Sequence, residues 1–173
     1  MAVNQFNLRE GQRAERKLLV TIVEWTEDAT QKREILGTRT EDSSIEYNAE
    51  INTSTDIRGN NYTDVDRTQP QQDFDPYLVL GGSKLGALLN DIRRKNDLSQ
   101  LDQFNVYIVT MFVGEAGAYA AEKHEHCTIA YNSFGGDTSV NFPISVYLSN
   151  KITLGTVDKI AEDFTFQPTQ ASS

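Results

Sequence analysis

From residue 104 onward the chain is a succession of β-type runs cut by Gly, Asn and Ser, and nothing else in it constrains the fold so strongly. Residues 104–113 (FNVYIVTMFV), 118–131, 139–148, 152–157 and 160–166 are rich in β-branched and aromatic side chains, with turns at 134–137 and 149–151. Short strands at this spacing make antiparallel sandwiches or barrels. Pro143 has no N–H to give a neighbouring strand, so it predicts an edge or a bulge in its run. An open edge would admit a strand from a partner.

The first half adds to that plan. Residues 18–25 (LLVTIVEW) predict a strand with Leu19, Thr21, Val23 and Trp25 on one face, and a turn in 26–31 returns the chain through 32–40 as a hairpin. In 44–51, Ile45, Tyr47, Ala49 and Ile51 alternate with Ser44, Glu46, Asn48 and Glu50, the period of a strand wet on one side. One stretch alone reads as a helix: Ser83 caps residues 84–95, where Leu85, Leu88, Leu89 and Ile92 recur on one face and Arg93, Arg94 and Lys95 close the C-terminal end. The predicted fold is therefore mainly β, an antiparallel β-sandwich or barrel with one flanking α-helix and a long extended loop. It is a single domain over 1–173, with an N-terminal arm at 1–16, the extended loop or hairpin at 41–76, the helix at 83–95 and a frayed tail at 167–173.

The extended loop is the segment least like an ordinary linker. Residues 55–76 (TDIRGNNYTDVDRTQPQQDFDP), acidic and rich in Asn and Gln, read neither as a helix nor as an ordinary strand, and Pro70 and Pro76 forbid a helix and punctuate the return. Arg58-Gly59-Asn60-Asn61 supplies residues that tolerate positive φ, so 51–57 and 62–68 predict the legs of a hairpin. Ile57, Tyr62, Val65 and Phe74 predict docking on something, since a solvated linker seldom carries such side chains. Between 41 and 80 there are nine acids against two bases, −7 of the chain's formal −9. Such a field repels nucleic acid and speaks against a DNA-binding module.

Chemistry is sparse. Glu122, His124 and His126 would share a face of a regular strand and form a three-ligand patch, with Cys127 pointing away; a solvated strand face carrying two imidazoles is the plainer reading, and no metal is assigned. Adjacent strand positions oppose each other, so His126 is badly placed to activate Cys127. Gly81-Gly82 before a helix lacks the Gly-Lys-Ser/Thr of a phosphate loop. The pairs Asp64/Asp66 and Asp73/Asp75 lack the glycine and terminal glutamate of a calcium loop. No catalytic residue and no cofactor is predicted, and the chain reads as a non-enzyme. The N-terminus lacks the features of a signal peptide and no run nears the ~18 apolar residues of a membrane span, which predicts a soluble chain kept in the cytosol without membrane contact.

The residues 41–48 (EDSSIEYN), 54–65 (STDIRGNNYTDV), Phe74-Asp75-Pro76 and the helix start Gly82-Ser83-Lys84-Leu85 resemble the tail tube, or major tail, proteins of long-tailed bacteriophages, by their wording those of non-contractile tails. The resemblance implies a β-sandwich with a flanking helix that closes into six-membered rings, stacked into a hollow tube through which DNA passes at ejection without specific binding. It implies a virion location, assembly in the host cytoplasm, and partners that include further copies of the chain and tape-measure, tail-terminator and tail-tip proteins. In such tubes a long loop reaches to neighbouring subunits; that role falls here on 41–76, with Ile57, Arg58, Tyr62, Val65 and Phe74 as inter-subunit contacts. The alternatives are another ring-forming virion protein, a tail terminator or head-completion protein, and a small metal-dependent enzyme built on 122–127.

Overall fold

The computed structural model describes residues 6–169. Parts of the predicted N-terminal arm and frayed tail, 1–5 and 170–173, lie outside them. The fold is mainly antiparallel β with one α-helix. Strand β1 (Leu19–Glu27) turns into β2 (Thr30–Ile35) through Asp28 and Ala29, both at positive φ, so the predicted loop is a tight two-residue turn. Then come β3 (Ile45–Glu46), β4 (Glu50–Thr55), β5 (Asn61–Arg67), β6 (Gln71–Phe74) and helix α1 (Lys84–Lys95). The second half supplies β7 (Phe104–Glu115), β8 (Ala118–Tyr131), β9 (Ile144–Tyr147), β10 (Ile152–Val157) and β11 (Phe166–Pro168).

Nine of these strands form one sheet that curls into two layers, in the order β2-β1-β7-β8-β9-β6-β3, with β10 and β11 branching from β8. The long strand β8 is the shared element. Its first half pairs β10 through 119–124 and its second half pairs β9 through 128–131. Between them the β7 register slips and His126 takes φ 56°, a bulge that turns the sheet. The curl brings β1 against β6, where Thr21 Oγ1 donates to Gln72 Oε1 at 2.8 Å. Val23, Trp25, Phe74, Val106, Ile129 and Ile144 pack in the core between the layers. Helix α1 closes that core with Leu85, Leu89 and Ile92 buried, Ser83 capping its start and Asn96, at φ 53°, ending it in the left-handed region.

A second core lies behind the sheet, where Ile22, Tyr107, Val109 and Val157 meet Phe164. Both faces of β1 are therefore covered, beyond the single buried face its alternation predicts. Arg33 holds this layer: Nε meets the buried Glu24 carboxylate at 2.7 Å, Nη1 donates to the Phe164 carbonyl at 2.6 Å, and the guanidinium stacks 4.0 Å from the Phe164 ring. The predicted strand at 160–166 is not one. Asp158 Oδ1 accepts the Thr165 amide and Lys159 pairs with Asp163, which fold the segment into turns and leave β11 to begin at Phe166. The frayed tail expected from 167 accordingly starts too early, since Gln167 and Pro168 pair with β10.

Two further expectations give way. The strand drawn through 44–51 is broken at Asn48, whose φ of 46° separates the short β3 from β4. Pro143 is neither on an edge nor in a bulge: it precedes β9, which lies inside the sheet between β8 and β6.

Candidate assembly surface

Strands β4 and β5 form a two-stranded sheet of their own, apart from the curled one, and every residue of both is exposed. Sequence dictates its tip. Asp56 Oδ1 accepts the amides of Arg58 and Asn60 at 2.8 and 2.9 Å, while Oδ2 accepts the Asn60 amide nitrogen at 2.9 Å and the Tyr62 hydroxyl at 3.0 Å. Gly59 sits at φ 81° and donates to the Asp56 carbonyl, completing a tight turn. Above all the Asn60 side chain holds the Asp56 carboxyl down to about 2. The tip is thus ordered by its own hydrogen bonds without help from the body.

That turn fixes the register: Thr55 opposes Asn61, and counting back pairs Thr53 with Thr63 and Ile51 with Val65. These six residues share one face, which carries no charge. The opposite face holds Asn52, Ser54, Tyr62 and Asp64, and a slip in register next to it places Glu50 beside Arg67, whose Nε it binds. Ile51 and Val65 are 62% and 63% exposed. Isolated hairpins are marginal in water, and one exposing a β-branched face has its burial still to find.

Of the predicted contact residues, Ile57 and Arg58 lie at the tip, with Ile57 fully exposed, and Val65 on the uncharged face. Tyr62 is on the opposite face and spends its hydroxyl on Asp56. Ile51, missed from the sequence, is Val65's cross-strand partner; counting outward from the Asp-Ile-Arg-Gly-Asn turn finds it. Phe74 needs correction, being 2% exposed in the main core. The loop 41–76 is not one excursion: its ends are β3 and β6, built into the sheet, and the projecting part is β4–β5. Ser43 Oγ, donating to the Asp73 carbonyl, ties those ends together.

The 122–127 segment does not converge on a metal. The bulge turns His126 outward, while His124 is buried with Nδ1 2.9 Å from the Ser149 carbonyl and Nε2 3.3 Å from Glu122 Oε2. Among the described residues no group of His, Cys, Asp and Glu suited to a metal occurs. Cys127 is buried, and desolvation pushes its thiol up, away from reactivity. The start of α1 is filled by the chain's own Glu34, which accepts from Ser83 Oγ at 2.8 Å and the Lys84 amide at 3.1 Å and also takes the Tyr77 hydroxyl at 2.6 Å. An anion there would meet a carboxylate. Among the described residues no helix is long and apolar enough to cross a membrane.

No family model matches the chain, and no curated protein does. Among solved structures it is similar to a chain of the sheath/tube terminator of the extracellular contractile injection system PVC in the extended state, at TM-score 0.49 and 11% identity over 83% of this chain and 96% of that one. It is similar to a chain of the PVC sheath-tube complex in the extended state, at 0.42 and 14% over 79% and 88%. A chain of the anti-feeding prophage (AFP) baseplate aligns at 0.44 and 11% over 78% and 91%. At TM-scores below 0.5 these likenesses decide neither family nor function, so the hairpin is judged on its own chemistry.

Proposed function

We propose that this chain is a structural subunit of a phage-type tail, assembling with its own copies into stacked rings that form a hollow tube, with the β4–β5 hairpin reaching onto a neighbouring copy. The observation that carries the reading is the hairpin itself: a separate two-stranded sheet, exposed throughout, ordered at its tip and bare of charge on its Ile51/Val65 face. The resemblance over 41–96 points the same way. A head-to-tail contact that closes gives a ring, and ring stacking is open-ended, so length has to be set by another protein. A tube of acidic subunits would repel DNA phosphates along its bore and let the genome slide.

Negative-stain microscopy of the concentrated protein tests the reading. Hollow tubes of uniform width are expected. Single rings of fixed height would instead indicate a terminator or head-completion protein, and dispersed monomers would reject both.

A further inference from the structure

Cross-strand pairing places Ile152 in one row with Val23, Val106 and His124, and Leu154 in the next row with Thr21, Ile108 and Glu122. Along β1 and β7 these rows are the floor of the main core, covered by β6, β9 and α1. At β10 the cover ends: Ile152 is 49% exposed and Leu154 61% exposed on a face whose equivalents one strand away are buried or half-buried. Among the described residues, Ile152 and Leu154 thus extend the core floor past the elements that cover it.

The geometry points to the uncharged face of the β4–β5 hairpin of a second copy as their cover, with Ile51 and Val65 seated on Ile152 and Leu154. This inference rests on the assembly reading above and names the surface that receives the hairpin. The two stripes match in chemistry. The donor face offers an Ile/Val pair flanked by threonines, the receiving face an Ile/Leu pair flanked by Thr156, and sheets pack face to face through such side chains. The one carboxylate on the receiving rows, Glu122, accepts hydrogen bonds, and the hydroxyls of Thr53 and Thr63 and the Asn61 amide are donors. Charge also selects this face of the hairpin, since Asp64 on its other side, where Glu50 is paired with Arg67, would meet Glu122 as a like charge. A single hairpin face is small against the ~800 Å² per partner of a stable complex, so one contact is weak, populated at high protein concentration, and is strengthened when rings repeat it.

Because donor and receiver are different patches, complementation tests the pairing. Val65→Asp disables the hairpin and Leu154→Asp disables the receiving face; both positions are solvent-exposed, and unchanged circular dichroism and melting of each variant certify the fold. At high protein concentration each variant alone is expected to stay monomeric, and an equimolar mixture to form a heterodimer by sedimentation velocity, because the intact hairpin of one meets the intact β10 face of the other. In a second arm, Val65→Cys mixed with Leu154→Cys is expected to yield a disulfide-linked dimer, which neither gives with wild-type protein. If Val65→Asp blocks polymerisation but Leu154→Asp does not, the hairpin docks elsewhere: this pairing is overturned while the assembly reading stands. If wild-type protein never polymerises, the assembly reading fails with it. Folded monomeric variants that neither complement nor crosslink also overturn the pairing.

Discussion

Asp56 shows how much one side chain settles here, since its carboxylate gathers both Asn60 donors, the Arg58 amide and the Tyr62 hydroxyl. Its carboxyl is held below the ordinary value of 3.8, at about 2, so the order it gives the tip is complete above 3.8 and is lost as pH falls through 2. Protection of the Arg58 and Asn60 amides, taken as exchange relative to an unstructured peptide at the same pH, is expected to hold at pH 5 and to fall toward pH 2, whereas Asp56→Ala should show little protection at either pH. Phe74 behaves oppositely to its expected role as a contact. Phe74→Ala is expected to cost about 3–5 kcal/mol of monomer stability in denaturant titration, the price of a core cavity. Glu24, a buried acid that no sequence pattern marks, anchors Arg33; Glu24→Ala leaves that cation without its partner, and a comparable loss of about 3–5 kcal/mol is expected by the same titration.

Among the elements, α1, β7, β8 and β10 are legible because their apolar patterns are unbroken and their ends carry signals, Ser83 before the helix and the Ser149-Asn150 turn before β10. The failures share a cause. At 160–166 local hydrogen bonds from Asp158 and Lys159 outcompete β propensity, and at Asn48 a single left-handed residue splits an otherwise regular alternation. Phe74 misled because a loop's apolar residues look alike whether they serve the chain's own core or another surface; only the pairing of β6 with β9, far along the chain, decides. The hairpin tip was readable from Gly59 and its Asn neighbours, and the uncharged face was readable in principle from the register that turn imposes. His126 fell off the Glu122/His124 face for want of any local sign of the bulge. At this scale a clean deletion has to spare Gln72, buried in β6: joining Glu50 to Arg67 through a short Gly-Ser turn is expected to leave the melting temperature within a few degrees and remove polymerisation.

The whole molecule divides into a curled nine-stranded body with its own two cores and a projecting sheet with none. Most of the net negative charge falls in the segment that carries the projection, which favours dispersed subunits until contacts can repeat cooperatively. Raising ionic strength screens that repulsion, so the concentration needed for polymerisation is expected to drop with added salt, measured by light scattering. Assembly through the hairpin is tested by sedimentation velocity of the wild-type and hairpin-shortened proteins over rising concentration, with and without preformed assemblies as seeds. Wild-type protein is expected to pass into large assemblies while the shortened protein stays a folded monomer. Wild-type protein that remains monomeric throughout, or a shortened protein that polymerises as well, would contradict assembly through the hairpin.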